Sequence, residues 1–244
     1  MLYFIFRCFM DKRLLSLIEK IPMGNGVIDV GTDHGFIPVY LASHGYSGNI
    51  LASDINPGPL NSGMQNAREA GVEEKIRFIL CNGLEKCPPT AVDTILIAGM
   101  GGDTMAGILD RASWVMDREV LLILQPMTKA EVLRYWLIHN GFAILSEELC
   151  EEGGKVYQII TSRFGGDTKL SDAELFTGKY ELIHDSALFP KKLKKLIDGT
   201  GKSIEGLEKS VDPGKKAWKA LLTEIYEELA EMNNCLTEER NADN

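Results

Sequence analysis

Acidic side chains beside a glycine turn near the N-terminus are the first candidates for chemistry in this sequence. In the stretch VIDVGTDHG, Asp29 follows two apolar residues, and Asp33 and His34 lie inside the turn. A second apolar run further along the chain ends in Asp54. The order strand, glycine loop, helix, strand and acid is the one with which an open α/β sheet forms a nucleoside pocket at its carboxyl edge. The acid that ends the second strand can accept hydrogen bonds from both ribose hydroxyls.

The spacing of the glycines favours one class of nucleoside ligand. Dinucleotide-binding enzymes carry G-x-G-x-x-G, which lets helix amides hold a pyrophosphate. Here the pattern is D-x-G-x-x-x-G, from Asp29 to Gly35, and Asp33 lies inside the loop. A carboxylate there repels pyrophosphate and attracts a cation, such as the sulfonium and amino groups of S-adenosylmethionine (SAM). The pattern therefore disfavours a nicotinamide dehydrogenase, while a strand–turn–helix without any ligand stays an open alternative.

Alternating apolar runs and helix-like segments predict the elements that position these residues. The predicted strands are Val27–Gly31, Asn49–Asp54, Lys75–Cys81, Val92–Ala98 and Val120–Gln125. The predicted helices are Phe36–His44, Leu60–Ala70, Thr104–Met116 and Lys129–His139. Two further strands, Ala143–Cys150 and Lys155–Ser162, flank a Gly-Gly turn that is typical of an antiparallel hairpin. We predict an α/β fold with the Rossmann-like, seven-stranded sheet of class I methyltransferases, because a dinucleotide domain more often ends in a parallel sixth strand.

A change in composition near residues 165–166 predicts a second domain. We expect a SAM-binding domain over residues 1–165 and a C-terminal α-helical coiled-coil pair over 166–244. Apolar residues recur there at helical spacing, and Asp212-Pro213-Gly214 is typical of a capped helix start. The segment 186–220 holds nine lysines against four acids. Its densest basic run predicts RNA-phosphate contacts by Lys191, Lys192, Lys194 and Lys195, although a helical cap packed on the sheet domain is an equally open alternative.

Composition limits the remaining functions. The 244-residue chain has a formal net charge of −9, which argues against a uniformly basic nucleic-acid binder. Its five cysteines form no C-x-x-C pair, which indicates reduced thiols in a cytoplasmic protein and predicts no metal site. No apolar run reaches the roughly 20 residues of a membrane span, so we expect no membrane contact, and we expect a monomer. The apolar residues 1–10 are either a packed extension or the product of an upstream start codon, with Met10 the natural start.

The motif I-A-G-M-G-G-D, from Ile97 to Asp103, is the sharpest in the chain. Its glycines indicate that another backbone or a flat base comes close. Together with G-T-D-H-G, I-L-Q-P and the K-R-L segment that precedes the first strand, it gives a resemblance over nearly the whole chain. The sequence resembles the bacterial TrmK-type tRNA (adenine-22-N1)-methyltransferases.

This resemblance implies SAM-dependent methylation of N1 of an adenine in tRNA, adenine 22 by analogy with the family. The resemblance places the target base beside Asn82, Gly99, Met100 and Gly101. The cofactor residues that it implies are Asp29, Gly31, Thr32, Asp33, His34, Gly35, Asp54, Ile55, Asn82, Gly83, Ala98, Gly99 and Met100.

Two positions depart from the family pattern, Asn82 and Met127. Met127 follows I-L-Q-P, where the family often has a polar Asn, and packing is the favoured interpretation of this residue. The family usually has G-D-G-L after the third strand, and this chain has C-N-G-L, with Asn82 in place of the Asp. An Asn carbonyl can accept a hydrogen bond from the target base but cannot take a proton. We therefore expect SAM binding to survive and catalysis to be weaker, and a non-catalytic SAM- or RNA-binding relative is the alternative.

Overall fold

The structure is a computed structural model that describes the backbone of residues 10–242 and the side chains through Glu238. Residues 1–9, which form most of the apolar N-terminal segment, lie outside the described residues. The chain divides after Thr168 into two compact units. Over residues 10–242, no helix or strand continues from one unit into the other.

The first unit is a seven-stranded sheet in the order β3-β2-β1-β4-β5-β7-β6. Strands β1 to β5 pair in parallel, and β7 runs antiparallel to both β5 and β6. The predicted fold class, with its terminal antiparallel hairpin, is therefore confirmed. The strands are β1 (Val27–Val30), β2 (Ile50–Asp54), β3 (Ile76–Leu80), β4 (Thr94–Gly101), β5 (Leu121–Thr128), β6 (Phe142–Glu152) and β7 (Lys155–Phe164).

Helices cover both faces of the sheet between these strands, which explains why β1 and β2 are buried along their whole length. The helices of this unit are α1 (Lys12–Ile18), α2 (Phe36–Ser43), α3 (Pro57–Glu69), α4 (Gly102–Asp110) and α5 (Ala130–His139). Short 3₁₀ turns occur at Glu73–Lys75, Pro89–Ala91 and Ser113–Met116. Asp11 begins α1, where its Oδ1 accepts a hydrogen bond of 2.8 Å from Leu14 N.

Two predicted boundaries around the glycine-rich motif are wrong. The predicted fourth strand ends at Ala98, but β4 continues to Gly101, because bulges in its pairing with β5 let the chain skip register at Ala98 and Met100. The predicted helix through Met116 ends at Asp110. The backbone leaves the helical region at Ala112, and a separate 3₁₀ turn follows that buries Val115.

The second unit consists of helices alone. A capping box between Ser171 and Glu174 begins α6 (Asp172–Thr177), and α7 (Tyr180–Ile183) follows. The helical pair comprises α8 (Phe189–Leu207) and α9 (Pro213–Ala242), which pack on each other. Asp212 Oδ1 accepts a hydrogen bond of 2.8 Å from Lys215 N, as the predicted cap requires. Among the described residues, no helix combines the length and apolar character that a membrane span needs.

Candidate functional site

A cavity of about 620 Å³ opens at the carboxyl ends of the parallel strands β1 to β4. This edge is where open α/β sheets bind their ligands. The cavity brings together eleven of the residues predicted to bind cofactor or target: Asp29, Gly31, Thr32, Asp33, Asp54, Ile55, Asn82, Gly83, Ala98, Gly99 and Met100.

The loop between β1 and α2 forms one wall of the cavity. Gly31 and Thr32 donate backbone hydrogen bonds of 2.8 and 2.9 Å to Ser53 O, which fixes the loop against the end of β2. Gly31 has a φ of 73°, in the left-handed region that favours glycine. A Cβ at this position would lie 2.1 Å from Met100 Cε. Gly31 therefore makes room for the Met100 side chain of β4 as well as turning the chain.

Asp29 is the buried carboxyl of the cavity, with 7% of the residue exposed. Its Oδ2 accepts a hydrogen bond of 2.7 Å from Thr32 Oγ1. Burial raises the pKa of Asp29, the Thr32 hydrogen bond lowers it, and the nearby charge of Asp54 adds a smaller rise, so that the pKa is about 6. A cation bound beside this carboxyl would favour its ionised form.

Asp54 is held in a fixed orientation at the end of β2. Its Oδ1 accepts a hydrogen bond of 2.9 Å from Asn56 N, and its Oδ2 accepts one of 3.2 Å from Asp33 N. Each carboxylate oxygen has a second acceptor direction. The two oxygens can therefore receive a pair of adjacent hydroxyls, as the sequence predicts for a ribose.

Three predicted residues are absent from the cavity lining. The His34 side chain is half exposed, with its ring centroid 5.5 Å from that of Phe36. Gly35 begins α2 with a φ of 68°, and a Cβ there would lie 3.0 Å from the Cα of Gly63 in α3. Gly101 packs beside the side chains of Asp103 and Thr128. The structure gives Gly35 and Gly101 close packing contacts of their own.

The glycines of the I-A-G-M-G-G motif divide into two kinds. A Cβ on Gly102 would lie 2.1 Å from Lys129 O, and one on Gly101 would lie 2.6 Å from Asp103 Oδ1 and 3.3 Å from Thr128 Oγ1. Gly102 therefore makes room for the backbone between β5 and α5, and Gly101 makes room for the side chains of Asp103 and Thr128. Gly99 differs, because its φ is 78° and a Cβ there would meet nothing within 4 Å. Gly99 leaves open space at the cavity wall, where a flat base can approach.

Asn82 lines the cavity next to Gly83, and its amide has a defined orientation. Asn82 Nδ2 donates a hydrogen bond of 2.9 Å to Glu85 Oε1, and Arg111 Nε lies 3.9 Å from the same oxygen. Because the amide nitrogen of Asn82 donates to Glu85, the Oδ1 atom of Asn82 remains available to accept a hydrogen bond from a ligand. Ser53 Oγ donates to Gly83 O at 3.2 Å and so ties this turn to β2.

Arg13 is a lining residue that the sequence analysis did not single out. Its Nη1 donates a hydrogen bond of 2.8 Å to Gln125 Oε1, its guanidinium carbon lies 5.6 Å from the centroid of the Tyr157 ring, and Asp11 pairs with it at 3.6 Å. The side chain is 20% exposed. The K-R-L segment and the I-L-Q-P strand were both visible in the sequence, but their contact spans 112 residues and no local pattern reveals it.

The predicted RNA-binding lysines all lie in the first two turns of α8. Lys191, Lys194 and Lys195 are exposed, whereas Lys192 is half-buried. Lys191 and Lys192 each take part in a further interaction within the protein.

Within the described part of the chain, no group of three or more His, Cys, Asp or Glu side chains could hold a metal ion. The cysteines at 81, 87, 150 and 235 are free thiols, and Cys8 lies outside the described residues.

Comparison with known proteins identifies the family. Residues 10–160 match the model of a methyltransferase domain. The chain is 29% identical over 208 residues to the tRNA (adenine(22)-N(1))-methyltransferase of Bacillus subtilis (strain 168), covering 83% of this chain and 87% of that protein. The crystal structure of the B. subtilis m1A22 tRNA methyltransferase TrmK has a TM-score of 0.83 at 28% identity, covering 92% of this chain and 98% of that one.

A second solved structure contains the cofactor. Streptococcus pneumoniae Sp1610, crystallised in complex with S-adenosyl-L-methionine, has a TM-score of 0.79 at 30% identity and covers 92% of this chain and 100% of that one. The chain therefore belongs to the methyltransferase-domain family and, within it, to the TrmK-type tRNA (adenine-22-N1)-methyltransferases.

Proposed function

We propose that this protein transfers the methyl group of SAM to N1 of an adenine in tRNA, adenine 22 by family resemblance, as a monomer in the cytoplasm. The observation that carries the proposal is the cavity in which Asp29, Asp54 and Gly99 meet at the carboxyl edge of a methyltransferase sheet. The carboxylates suit a cationic nucleoside, and the open glycine wall suits an aromatic base.

The cavity residues fit SAM by their chemistry. Asp54 would receive the ribose hydroxyls, since both of its oxygens retain acceptor capacity. Asp29 is a buried carboxyl with a raised pKa, so an ammonium or sulfonium beside it would relieve the penalty of its ionisation. Arg13 is the positive counterpart in the lining and would pair with the carboxylate of the methionine moiety.

When bound, SAM supplies an electrophilic methyl group on sulfur. The lone pair of adenine N1 forms the new N–C bond as the C–S bond breaks, and the sulfur keeps the bonding pair. The protein holds the two partners in line, which is where most of the rate of such a displacement originates. In folded RNA, N1 is shielded by pairing or stacking, so the base has to be exposed at an expense of a few kcal/mol.

Asn82 can assist this reaction without accepting a proton. Methylation at N1 leaves positive charge spread over N1, C6 and the exocyclic amine. An acceptor aimed at that amine stabilises the charge, and the Asn82 Oδ1 is such an acceptor. A carboxylate would do so more strongly, so the substitution lowers the rate and does not remove the means of catalysis.

Mass spectrometry of tRNA nucleosides after incubation with SAM tests this function. We expect 1-methyladenine to appear, and we expect Asp54→Ala to weaken SAM binding by about 2 kcal/mol, the value of a hydrogen bond to a charged group. Binding of SAM without methylation would support the non-catalytic alternative. Binding of NAD in place of SAM would contradict the proposal and support a nicotinamide dehydrogenase.

We further propose that the helical pair contacts the tRNA. Substrate tRNA is polyanionic, and the chain as a whole has a net charge of −9. A local basic surface is therefore needed to hold the RNA. The predicted lysines at 191, 192, 194 and 195 supply one, and Lys194 and Lys195 are exposed members that form no ion pair with any described side chain.

A further inference from the structure

The two ends of the helical pair are packed very differently. At the end where α8 begins, Phe189 and Leu193 are fully buried, as is Leu229 of α9. The opposite end, where Leu207 is joined to Pro213, leaves Val211 85% exposed and Trp218 46% exposed. We name this end, residues 207–219, the tip of the helical pair.

Trp218 occupies a position where a coiled coil would bury it. It lies four residues before Leu222 on α9, on the same helix face as the buried Ile225 and Leu229. The sequence pattern accordingly predicts Trp218 as part of the apolar seam. In the structure, 46% of Trp218 is exposed. A large aromatic ring is thus held on a helix with nearly half of the residue open to solvent.

The half of α8 that leads to the tip carries three glycines, at 199, 201 and 206. A Cβ on Gly199 or Gly206 would meet nothing within 4 Å, and one on Gly201 would make only an ordinary contact with Tyr226 at 3.5 Å. Close packing therefore does not require these glycines. Glycine weakens a helix, because it loses more backbone entropy than other residues. The distal half of α8 is consequently the more deformable one.

The tip carries exposed lysines as well as exposed apolar side chains. At the tip, Lys209, Lys215 and Lys216 are exposed, and among the residues with described side chains none of the three forms an ion pair, whereas Lys219 pairs with Glu208 at 3.7 Å. Residues 222–238 of α9 instead hold five glutamates and no lysine or arginine. Lys209, Lys215 and Lys216 therefore lie in the same short segment as the exposed Trp218, together with the acids Glu208 and Asp212. The opposite end of the pair combines the glutamates of α9 with the four lysines that begin α8.

We infer that the tip of the helical pair binds an unpaired loop of the RNA substrate. Trp218 stacks on one base, and Lys209, Lys215 and Lys216 contact the adjacent phosphates. Stacking on an aromatic ring needs a base face that a duplex does not expose, so the tip selects single-stranded nucleotides. The inference rests on the proposed tRNA substrate and adds to it the kind of RNA structure that the helical pair contacts.

A second copy of the chain fits this surface less well. The large apolar residues exposed at the tip are Val211 and Trp218, far short of the area that a stable protein interface buries. Two tips would also bring like charges together, which opposes association. A polyanion with exposed aromatic bases satisfies both the lysines and the ring.

Substitution of Trp218 in the full-length chain tests the stacking contact. We expect Trp218→Ala to raise the Kd and KM for tRNA roughly 10-fold, and Trp218→Phe to restore both largely. The SAM affinity and kcat should be unchanged, because the cavity lies in the other unit. Far-ultraviolet circular dichroism of each variant checks that α8 and α9 remain helical.

Charge reversal tests the phosphate contacts. The triple variant Lys209→Glu, Lys215→Glu and Lys216→Glu should reduce the slope of log Kd against log salt by about 2, at about 0.7 for each single-strand phosphate contact. Lys155→Glu, at an exposed lysine that begins β7, is the control and should leave the slope unchanged. A stem–loop RNA should compete with tRNA better than a blunt duplex of equal length.

Three outcomes would overturn the inference. Wild-type tRNA affinity and salt dependence in both tip variants would show that the tip does not contact RNA. A wild-type dimer that Trp218→Ala converts to a monomer, with tRNA binding unaffected, would assign the surface to self-association. If the wild-type protein neither binds nor methylates tRNA, both the proposed function and the inference about the tip are wrong. If the wild-type protein methylates tRNA and the tip variants bind tRNA as well as wild type does, only the inference about the tip is wrong.

Discussion

The two sides of the cavity are built on opposite principles. On the side of β1 and β2, polar groups are dense. Asp29 accepts a hydrogen bond from the Thr32 hydroxyl, and Asp54 accepts hydrogen bonds from the backbone amides of Asp33 and Asn56. On the side of β4, the wall from residue 98 to 100 has no ionisable side chain at all, and a Cβ on Gly99 would meet nothing within 4 Å. One side is defined by fixed charge and the other by the space that missing side chains leave.

This difference separates two kinds of sensitivity. Changes on the β1–β2 side should act through electrostatics, and therefore depend on pH and on the charge of the ligand. Changes on the β4 side should act through steric fit and be insensitive to both. A substitution that behaved in the opposite way would break the comparison.

The largest effect is expected from Gly102→Ala. The new Cβ would lie 2.1 Å from Lys129 O and 2.8 Å from the carbonyl carbon, so the backbone between β5 and α5 must move. We expect a loss of about 3 kcal/mol or more in the free energy of unfolding, measured by denaturant titration. Gly99→Ala is the matched control. Its Cβ meets open space, so only the strain of its φ of 78° remains, about 1 kcal/mol.

Gly99→Ala should nevertheless reduce methyl transfer, because the alanine side chain would occupy the space in which we expect the target base to bind. A fall in kcat with unchanged SAM affinity would support that placement. If Gly102→Ala unfolded no more easily than Gly99→Ala, the steric account of the motif would be wrong.

Asp29 should make the protein without ligand sensitive to pH. Its folded pKa of about 6 lies above the ordinary 3.8, so the native state holds a proton that the unfolded state releases between these values. Stability therefore falls as pH rises from about 4 to about 6 and stays lower above that, by about 3 kcal/mol in total. Thermal unfolding of wild type and Asp29→Asn across this range measures the effect, which the variant should lack.

SAM should show the complementary trend. Because its positive charges favour ionised Asp29, its affinity should rise as pH increases through 6, with release of a proton that calorimetry in two buffers detects. A neutral nucleoside such as 5′-methylthioadenosine should show no such trend. An equal pH dependence for both ligands would mean that Asp29 does not face a cation.

Arg13→Ala should weaken the binding of ligands that carry a carboxylate and leave the binding of other ligands nearly unchanged. If Arg13 pairs with the methionine carboxylate, SAM should bind about 2 kcal/mol more weakly, the scale of a charge-assisted hydrogen bond. Binding of 5′-methylthioadenosine, which has no carboxylate, should change little. Gln125→Ala, which removes the partner at 2.8 Å, should reproduce part of the loss through disorder of Arg13. Equal weakening of both ligands would indicate a collapsed cavity instead.

Asn82→Asp should have the smallest effect and should depend on Glu85. The carboxylate would replace a donor that now lies 2.9 Å from Glu85 Oε1, so two acceptors would face each other. We expect a loss of about 1 kcal/mol in stability and little gain in rate. Adding Glu85→Gln supplies a donor again, and the double variant should exceed the wild-type rate. Additive effects in this double-mutant cycle would show that the two side chains are independent.

Much of the fold could be predicted from the sequence because its signals are local. The continuous apolar runs of β1 and β2 reflect strands buried on both faces, and the Gly153-Gly154 turn fixed the terminal hairpin. The extension of β4 to Gly101 depends on bulged pairing with β5, which is not a local property. The short α7 has too few residues for any periodicity, although the capping box of α6 was readable from Ser171 and Glu174.

The site was predictable as a set of positions and less so as a set of contacts. The glycine pattern located the loop at Gly31, but the reason for that glycine, the Met100 side chain from another strand, needs the folded sheet. Likewise, the resemblance to the family implies that Asn82 stands in place of an acid, but it does not reveal that Glu85 orients the Asn82 amide. The roles in SAM and RNA binding stay predictions until the experiments above are done.

The N-terminal helix has a consequence for the order of folding. Lys12 N donates a hydrogen bond to Glu152 Oε2, Lys20 pairs with Glu148, and Arg13 lies over Tyr157, so α1 is anchored by the last two strands of the sheet. During synthesis these partners emerge after everything else that builds the cavity. A nascent chain can therefore pair β1 to β5 before Arg13 takes its place in the cavity wall. The contacts of α1 with β6 and β7 join residues far apart in the sequence, and such contacts form late in folding. Cofactor capture would then coincide with completion of the sheet.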